Sequence, residues 1–344
     1  MTVKITLPHD NSYEIFIDEL NEIYFDRKVV IVTNPTVSGF HLEYLKTKIN
    51  ARELSVCTIP DGEEYKHMQT IEDMLAHCFT HRLDRKSLLI AFGGGVIGDM
   101  TGFAASIYQR GIDFVQIPTT LLSQVDASVG GKTGINNKFG KNLVGAFHQP
   151  IAVYIDPNFL KTLPKREFGA GVAEIVKMAV TFNKDFFEWL EQNDLTTDEN
   201  IRIAIAKSVQ TKADVVSQDE KELGIRAALN YGHTFGHVIE NETNYDTYLH
   251  GEAVGIGMCM ANALAVKLGL MSKDEELRVK NLLEKYDIPT TYKIKDIEDF
   301  YEHFFLDKKS LDNKIKFILP VGIGDCKITN EVTKDDVIKI LKGF

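Results

Sequence analysis

The chain has 344 residues, 26% of them charged, and its 49 acidic against 39 basic side chains leave a net charge of −10. The length is ample for two domains with substantial cores. The acidic balance excludes a general binder of nucleic acid or of anionic membranes, because both need a positive field, so no nucleic-acid and no membrane partner is expected.

The first residues, MTVKITLPHDNSYEI, are polar and alternating and contain no apolar stretch of signal-peptide type. Two short, apolar, β-branched runs that end in turn residues, KVVIVTN (28–34) and SLLIAFGGG (87–95), predict buried parallel strands. FVQIPTT (114–120) and AVYIDP (152–157) predict two more, and helical patterns at 67–82 and 96–108 fall between them. That alternation predicts an α/β fold whose N-terminal domain is a Rossmann-like, doubly wound parallel sheet, with ligands at the carboxyl ends of its strands. The stretch GGKTGINNKFGKNLVGAFHQP (130–150) has neither a helical nor a strand period and reads as a cation-bearing, glycine-rich loop. Its physics suits phosphate, although the GxxxxGK[ST] order of a nucleotide P-loop is missing.

After KTLPKREFGAG (161–171) helical patterns dominate, at 170–182, 184–193, 198–215, 226–243, 250–270 and 274–286. A boundary near 160 follows, with an α/β domain over 1–160 and a mainly α-helical domain over 161–344. The longest apolar stretch, 253–270, is interrupted by Lys267 and reads as a buried helix, not a membrane span. Cys57, Cys78, Cys259 and Cys326 are far apart and form no CxxC, which fits core thiols in a reducing, cytoplasmic setting. No functional signal is visible after about residue 325.

Two motifs carry chemistry. In GGGVIG (93–98), Gly93, Gly95 and Gly98 formally satisfy GxGxxG at a strand-to-helix turn. The full dinucleotide fingerprint is not met, because the acid at the expected distance, Asp113, precedes the next strand instead of ending one. The surviving physics is a turn whose backbone can approach a pyrophosphate at a helix terminus, with Asp99 just inside that helix. In NYGHTFGHVIE (230–240), His233 and His237 stand four residues apart on one helical face, which alone is weak evidence for a metal. His250 opens the next helical segment, and Glu174 lies with Lys177 in an otherwise apolar helix, where charges are costly unless paired or metal-bound. A carboxylate and two histidines with open positions are the usual composition of a catalytic Zn²⁺ site.

The ordered array GGGVIGDMTGFAASIYQRG, IPTTLLSQVDASVGGKTGIN, KNLVGAFHQP, AEIVKM, LNYGHTFGHVIE and HGEAVGIGM closely resembles the 3-dehydroquinate synthase family, from about residue 30 to 325. The resemblance implies a C-terminal domain that binds metal and substrate. It also implies two cofactors, NAD and one divalent metal (Zn or Co), with Glu174, His233 and His250 as ligands and His237 left for proton transfer. On the NAD side it implies Asp61, Glu63 and Lys66 of DGEEYK, the glycines Gly94 and Gly95, Asp99, Thr119, Thr120 and Lys141. The FLKT segment joins them through Phe159 and Thr162. Asn34, where family members often carry an acid, is the implied adenine-ribose contact. On the substrate side it implies Lys132, Asn142, Lys212, Arg226 and Asn230, with Asp126, Lys177 and Glu222 beside His237 as catalytic groups. One lysine of DKK also belongs there, Lys308 before its neighbour Lys309. Arg110 in YQRG matches an arginine inserted into the neighbouring subunit's site, which implies a homodimer.

The implied substrate is 3-deoxy-D-arabino-heptulosonate 7-phosphate, a sugar acid phosphate with an anionic group at each end. Arg226 suits bidentate recognition of the carboxylate, and lysines act as point charges. The implied reaction is a transient oxidation by NAD, phosphate elimination, reduction, ring opening and an intramolecular aldol closure to 3-dehydroquinate, in the shikimate route to aromatic amino acids. Two rival readings share the chemistry: another sugar-phosphate cyclase, and a metal-dependent polyol or glycerol-phosphate dehydrogenase. Lys212 and Arg226 speak against the former, since its substrates carry no carboxylate.

Overall fold

The computed structural model describes residues 1–8, 11–305 and 315–344. Its first unit, Met1–Leu163 together with Lys212–Lys221, is built on one large sheet. The strands in chain order are β1 (Thr2–Ile5), β2 (Tyr13–Ile17), β3 (Ile23–Thr33), β4 (Ile49–Thr58), β5 (Leu88–Gly93), β6 (Asp113–Pro118), the hairpin pair β7 (Lys132–Asn137) and β8 (Gly140–Phe147), and β9 (Ala152–Ile155). The seven-stranded sheet has the order β1-β2-β9-β6-β5-β3-β4, parallel throughout except for β1. Alternation along β3 splits the apolar run cleanly: Val29 and Ile31 enter one core layer, Val30 and Val32 the other. Helix α1 (Pro35–Lys48) covers the first layer through Leu42 and Leu45. The second layer is closed by α2 (Met68–Thr80) and α3 (Gly95–Ile107).

This strand order has a switch point. From β3 the chain steps outward to β4, then returns to pair β5 on the other side of β3 and continues to β6. Ligands of doubly wound sheets bind at the carboxyl ends of the strands flanking such a reversal, here Thr33–Asn34 and Gly93–Gly94.

The stretch 130–150 is a correction to the sequence reading. Instead of an irregular loop it forms the antiparallel hairpin β7–β8. Its backbones approach so closely at Gly145 that a Cβ there would overlap the Thr133 carbonyl oxygen. Side-chain alternation is lost where backbone packs on backbone, so no strand period shows. β1, β2 and β4 were also not foreseen.

The second unit comprises Pro164–Thr211 and Glu222–Phe344. It is mainly helical: α4 (Lys165–Phe182), α5 (Lys184–Gln192), α6 (Asp198–Gln218, whose last turns belong to the first unit), α7 (His233–Glu242), α8 (His250–Lys267), α9 (Lys273–Glu284), α10 (Ile297–His303) and α11 (Lys334–Leu341). A small hairpin, β10 (Phe317–Pro320) with β11 (Cys326–Thr329), completes it. The expected helix over 226–243 is broken: Ile225–Asn230 forms a 3₁₀ segment, and α7 begins only at His233. The break sits at Gly232, whose φ of 81° is left-handed and whose added Cβ would lie 2.8 Å from the Val254 carbonyl oxygen. No helix among the described residues is long and apolar enough to cross a membrane.

Candidate active site

Three helices of the second unit bring the metal-ligand candidates together. Glu174 lies in the buried middle of α4, His233 opens α7 and His250 opens α8. The helices can meet because small residues line their contacts: a Cβ on Gly251 would overlap the Ala170 carbonyl oxygen of α4, and one on Gly257 would overlap the carbonyl oxygen of Gly232. One donor atom from each of Glu174, His233 and His250 lies within 4.8 Å of the others. Nε2 of both histidines is 3.9 Å from Glu174 Oε1. Each ring's other nitrogen faces an acceptor: His233 Nδ1 is 3.2 Å from the Tyr231 carbonyl, and His250 Nδ1 is 3.2 Å from Glu240 Oε1. Donation from Nδ1–H in both rings leaves two Nε2 lone pairs for a metal.

Glu174 supplies the test of fit. The carboxylate is 1% exposed, and neither oxygen accepts a hydrogen bond of ordinary geometry, although Lys177 Nζ lies 2.5 Å from Oε2. A buried carboxylate with unused lone pairs beside two oriented imidazoles is a donor set suited to a divalent cation. Burial alone would lower the His250 pKa, but the Glu240 hydrogen bond and the charges of Glu240 and Glu174 outweigh it and hold the imidazole above its ordinary range. His237, which shares the HxxxH spacing, is outside this donor group; its ring centroid is 5.5 Å from that of His233 and 6.3 Å from that of His250.

Other expected residues of this unit lie nearby in the chain. Arg226 is 1% exposed on the 3₁₀ segment, and Asn230 at its end donates to Glu222 Oε1 at 2.6 Å. Glu222 has a left-handed φ of 59°. Arg110 and Asn142, in the first unit, are left-handed as well, with φ of 73° and 54°. Left-handed conformations cost a side-chain-bearing residue free energy and gather at functional sites. Lys308 and Lys309 lie outside the described residues.

In the first unit the nucleotide candidates surround the switch point. Asn34 caps α1 by accepting from Val37 N–H at 2.8 Å and donates to Asp61 Oδ1 at 2.7 Å. Gly94 precedes α3 and Gly95 begins it; a Cβ on Gly94 would lie 3.2 Å from the Thr120 methyl group. Thr119 is buried after β6 and donates its N–H to the Gly93 carbonyl. Glu63 Oε1 accepts from Asn136 at 2.8 Å. Phe159 is 2% exposed, its ring packed edge-on against Phe92, so a nucleotide contact there falls to the main chain. Thr162 Oγ1 is 2.7 Å from His41 Nε2.

One knot joins residues expected on the cofactor side to one expected on the substrate side. Lys66 Nζ donates to Asp99 Oδ2 and to Asn142 Oδ1, both at 2.6 Å. Burial opposes the Lys66 charge, yet the carboxylates of Asp99 and Glu63 hold its pKa above the ordinary lysine range. Asp126 sits in a single π-helical turn, Ser123–Ala127, and its carboxylate is 2.9 Å from Lys212 Nζ, itself 6% exposed. Lys132 is exposed at the start of β7 and Lys141 half-buried in β8. Lys66→Met removes the cation that ties Asn142 to Asp99. Its NAD⁺ dissociation constant, read by calorimetry, is expected to rise about tenfold, as for loss of a charged hydrogen bond of ~1.5 kcal/mol.

Two features escaped the sequence reading. Glu240 stands seven residues after His233, two turns on, and that spacing was the available signal. A second donor group, Glu242, Asp299 and His303, combines two helices, and there Glu242 Oε2 already accepts from Tyr292 at 2.7 Å.

A switch-point turn of glycines in one unit and a carboxylate–dihistidine cluster in the other define a nucleotide- and metal-dependent enzyme. Comparison with known proteins narrows the class. The family models described as 3-dehydroquinate synthase N-terminal and C-terminal match residues 56–170 and 171–310. A 3-dehydroquinate synthase of Sulfurovum sp. (strain NBC37-1) is 66% identical over 100% of this chain and 99% of its own. Among solved structures, 2-epi-5-epi-valiolone synthase from Streptomyces hygroscopicus subsp. jinggangensis 5008, with NAD⁺ and Zn²⁺ bound, superposes with a TM-score of 0.87 at 27% identity, covering 99% of both chains. A 2-deoxy-scyllo-inosose synthase complexed with carbaglucose-6-phosphate, NAD⁺ and Co²⁺ gives 0.86 at 25% identity, covering 100% of both. The chain belongs to the 3-dehydroquinate synthase family.

Proposed function

We propose that the protein converts 3-deoxy-D-arabino-heptulosonate 7-phosphate into 3-dehydroquinate and inorganic phosphate, with NAD and one zinc or cobalt ion as resident cofactors. The observation that carries this reading is the buried Glu174–His233–His250 donor group beside Lys177, in a chain of this family. Glu174, His233 and His250 hold the metal, and the glycine turn with Asp99, Lys66 and Thr119 holds the dinucleotide. When bound, the two groups supply a reversible hydride acceptor and a Lewis acid.

The chain's own residues then bind, orient and move protons. Arg226, buried and planar, takes the substrate carboxylate through two parallel N–H bonds, and Lys212, Lys132 and Asn142 hold the rest of the anion. Lys177, which is buried, and His237 are the groups that carry the proton transfers. Asp126, whose carboxylate lies 2.9 Å from Lys212 Nζ, is a further group for proton transfer. The phosphate leaves with help from its own oxygens, which accept the proton removed from the neighbouring carbon. Orientation of one substrate through successive steps is the main contribution asked of these residues.

Arg110 is exposed and left-handed, and we assign it to the neighbouring site of a homodimer. Mixing inactive Arg110→Ala with inactive His237→Ala protein is then expected to restore activity, up to about a quarter of wild type if subunits exchange freely, by pairing one intact site per mixed dimer. No recovery after subunit exchange contradicts the assignment. The four unbridged cysteines are in keeping with a reducing, cytoplasmic compartment.

The decisive assay supplies the heptulosonate phosphate with catalytic NAD⁺ and follows phosphate and NADH absorbance. Phosphate release that EDTA stops, with no lasting NADH, is expected. Steady NADH formation on a polyol would instead identify a dehydrogenase. Phosphate release only from a sugar phosphate lacking a carboxylate would identify another cyclase.

A further inference from the structure

We infer that Glu240 is a positioning residue for the metal: its carboxylate accepts the His250 Nδ1 proton, fixes the ring's tautomer and turns Nε2 toward Glu174 and His233. The inference deepens the proposed function and rests on its metal assignment.

Glu240 is 5% exposed on α7, and its Oε1 lies 3.2 Å from His250 Nδ1. A buried carboxylate is costly unless it is hydrogen-bonded, and here the imidazole N–H supplies such a bond. A neutral imidazole carries one N–H and one lone pair, so a donor at Nδ1 leaves the lone pair on Nε2. That Nε2 is the atom 3.9 Å from Glu174 Oε1.

The two histidines are oriented in different ways. His233 is held by a main-chain carbonyl, that of Tyr231, which a side-chain replacement cannot delete. His250 depends on a side chain, and its own is 38% exposed, so surrounding packing constrains the ring less. Glu240 therefore governs the ligand that the fold itself holds most loosely. It also links the helices, since Glu240 belongs to α7 and His250 opens α8.

The test measures Zn²⁺ and Co²⁺ affinity of the full chain by competition with a chromophoric chelator, together with the visible spectrum of the cobalt form. Glu240→Leu is expected to bind 10- to 100-fold more weakly, the range for lost outer partners of metal-bound histidines, with an altered cobalt spectrum. Glu240→Gln keeps an acceptor without the charge and is expected to lose about three- to tenfold. A residue that only supported packing would lower the melting temperature of the metal-free protein and leave metal affinity and spectrum unchanged. Glu240→Leu binding within twofold of wild type overturns the inference. If that variant does not fold, Glu240→Gln decides, and affinity within twofold of wild type overturns it. Failure of the wild-type protein to bind either ion would instead reject the metal assignment beneath it.

Discussion

Glu174→Gln loses its metal on dialysis and turns over substrate roughly a thousandfold more slowly, the effect expected when several kcal/mol of Lewis-acid stabilisation are removed. Glu174 is the only carboxylate in its donor group, and an amide is a poor ligand for zinc beside two imidazoles. The variant also loses stability, because Lys177, 2% exposed, no longer has a carboxylate 2.5 Å from its ammonium group. Removing one member of a buried ion pair costs about 3–5 kcal/mol. Stability and metal binding can be separated. Glu174→Gln combined with Lys177→Met replaces the buried charge with an apolar side chain of similar volume and is expected to regain most of the lost melting temperature without regaining metal. Elemental analysis showing a full equivalent of zinc in dialysed Glu174→Gln would sink the ligand assignment.

The second large effect comes from one methyl group. Gly257→Ala is expected to cost about 1–3 kcal/mol of stability, as overpacking does, and about a hundredfold in kcat/KM, as misplacing catalytic groups by about 1 Å does. Its Cβ would overlap the Gly232 carbonyl oxygen and lie 2.8 Å from the Gly236 amide nitrogen, so α7 must move away from α8. His233 opens the former helix and His250 the latter, so the shift separates the two imidazoles. Gly39→Ala in α1 is the control: nothing lies within 4 Å of its added Cβ. It should stabilise the protein slightly, by about 0.5–1 kcal/mol. Melting curves and metal content of the two variants, compared side by side, check the argument. Wild-type metal affinity in Gly257→Ala would show that the helices have room to spare.

The strands at Val29–Val32 and Leu88–Gly93 were legible because each is buried on both faces, which forces a continuous apolar run. β4 was not, since it is an edge strand of the sheet and most of its residues, INARELSVCT, face outward or are only half-buried. The hairpin at 132–147 was hidden for a different reason, its backbone packing at Gly145 leaving no alternating pattern. At the site, residue types and spacing suggested a metal but left open which histidines would hold it. The family resemblance already set His237 apart, and the fold brings donor atoms of Glu174, His233 and His250 together without it. The break at Gly232 was masked by a periodic pattern that continues through it, because the clash enforcing it comes from Val254, in another helix. Glu240 stayed silent because its meaning depends on His250, a partner beyond an intervening turn.

The first unit is discontinuous in sequence: ten residues of it, Lys212–Lys221, arrive only after the chain has built α4, α5 and most of α6. Severing the gene after Leu163 would not release a finished nucleotide-binding half, because the fragment would lack Lys212, whose ammonium lies against Asp126. The same cut would leave the other product carrying a segment that belongs elsewhere. Such interleaving makes the chain resistant to modular shuffling, so a swap of one half between relatives must carry residues 212–221 with it.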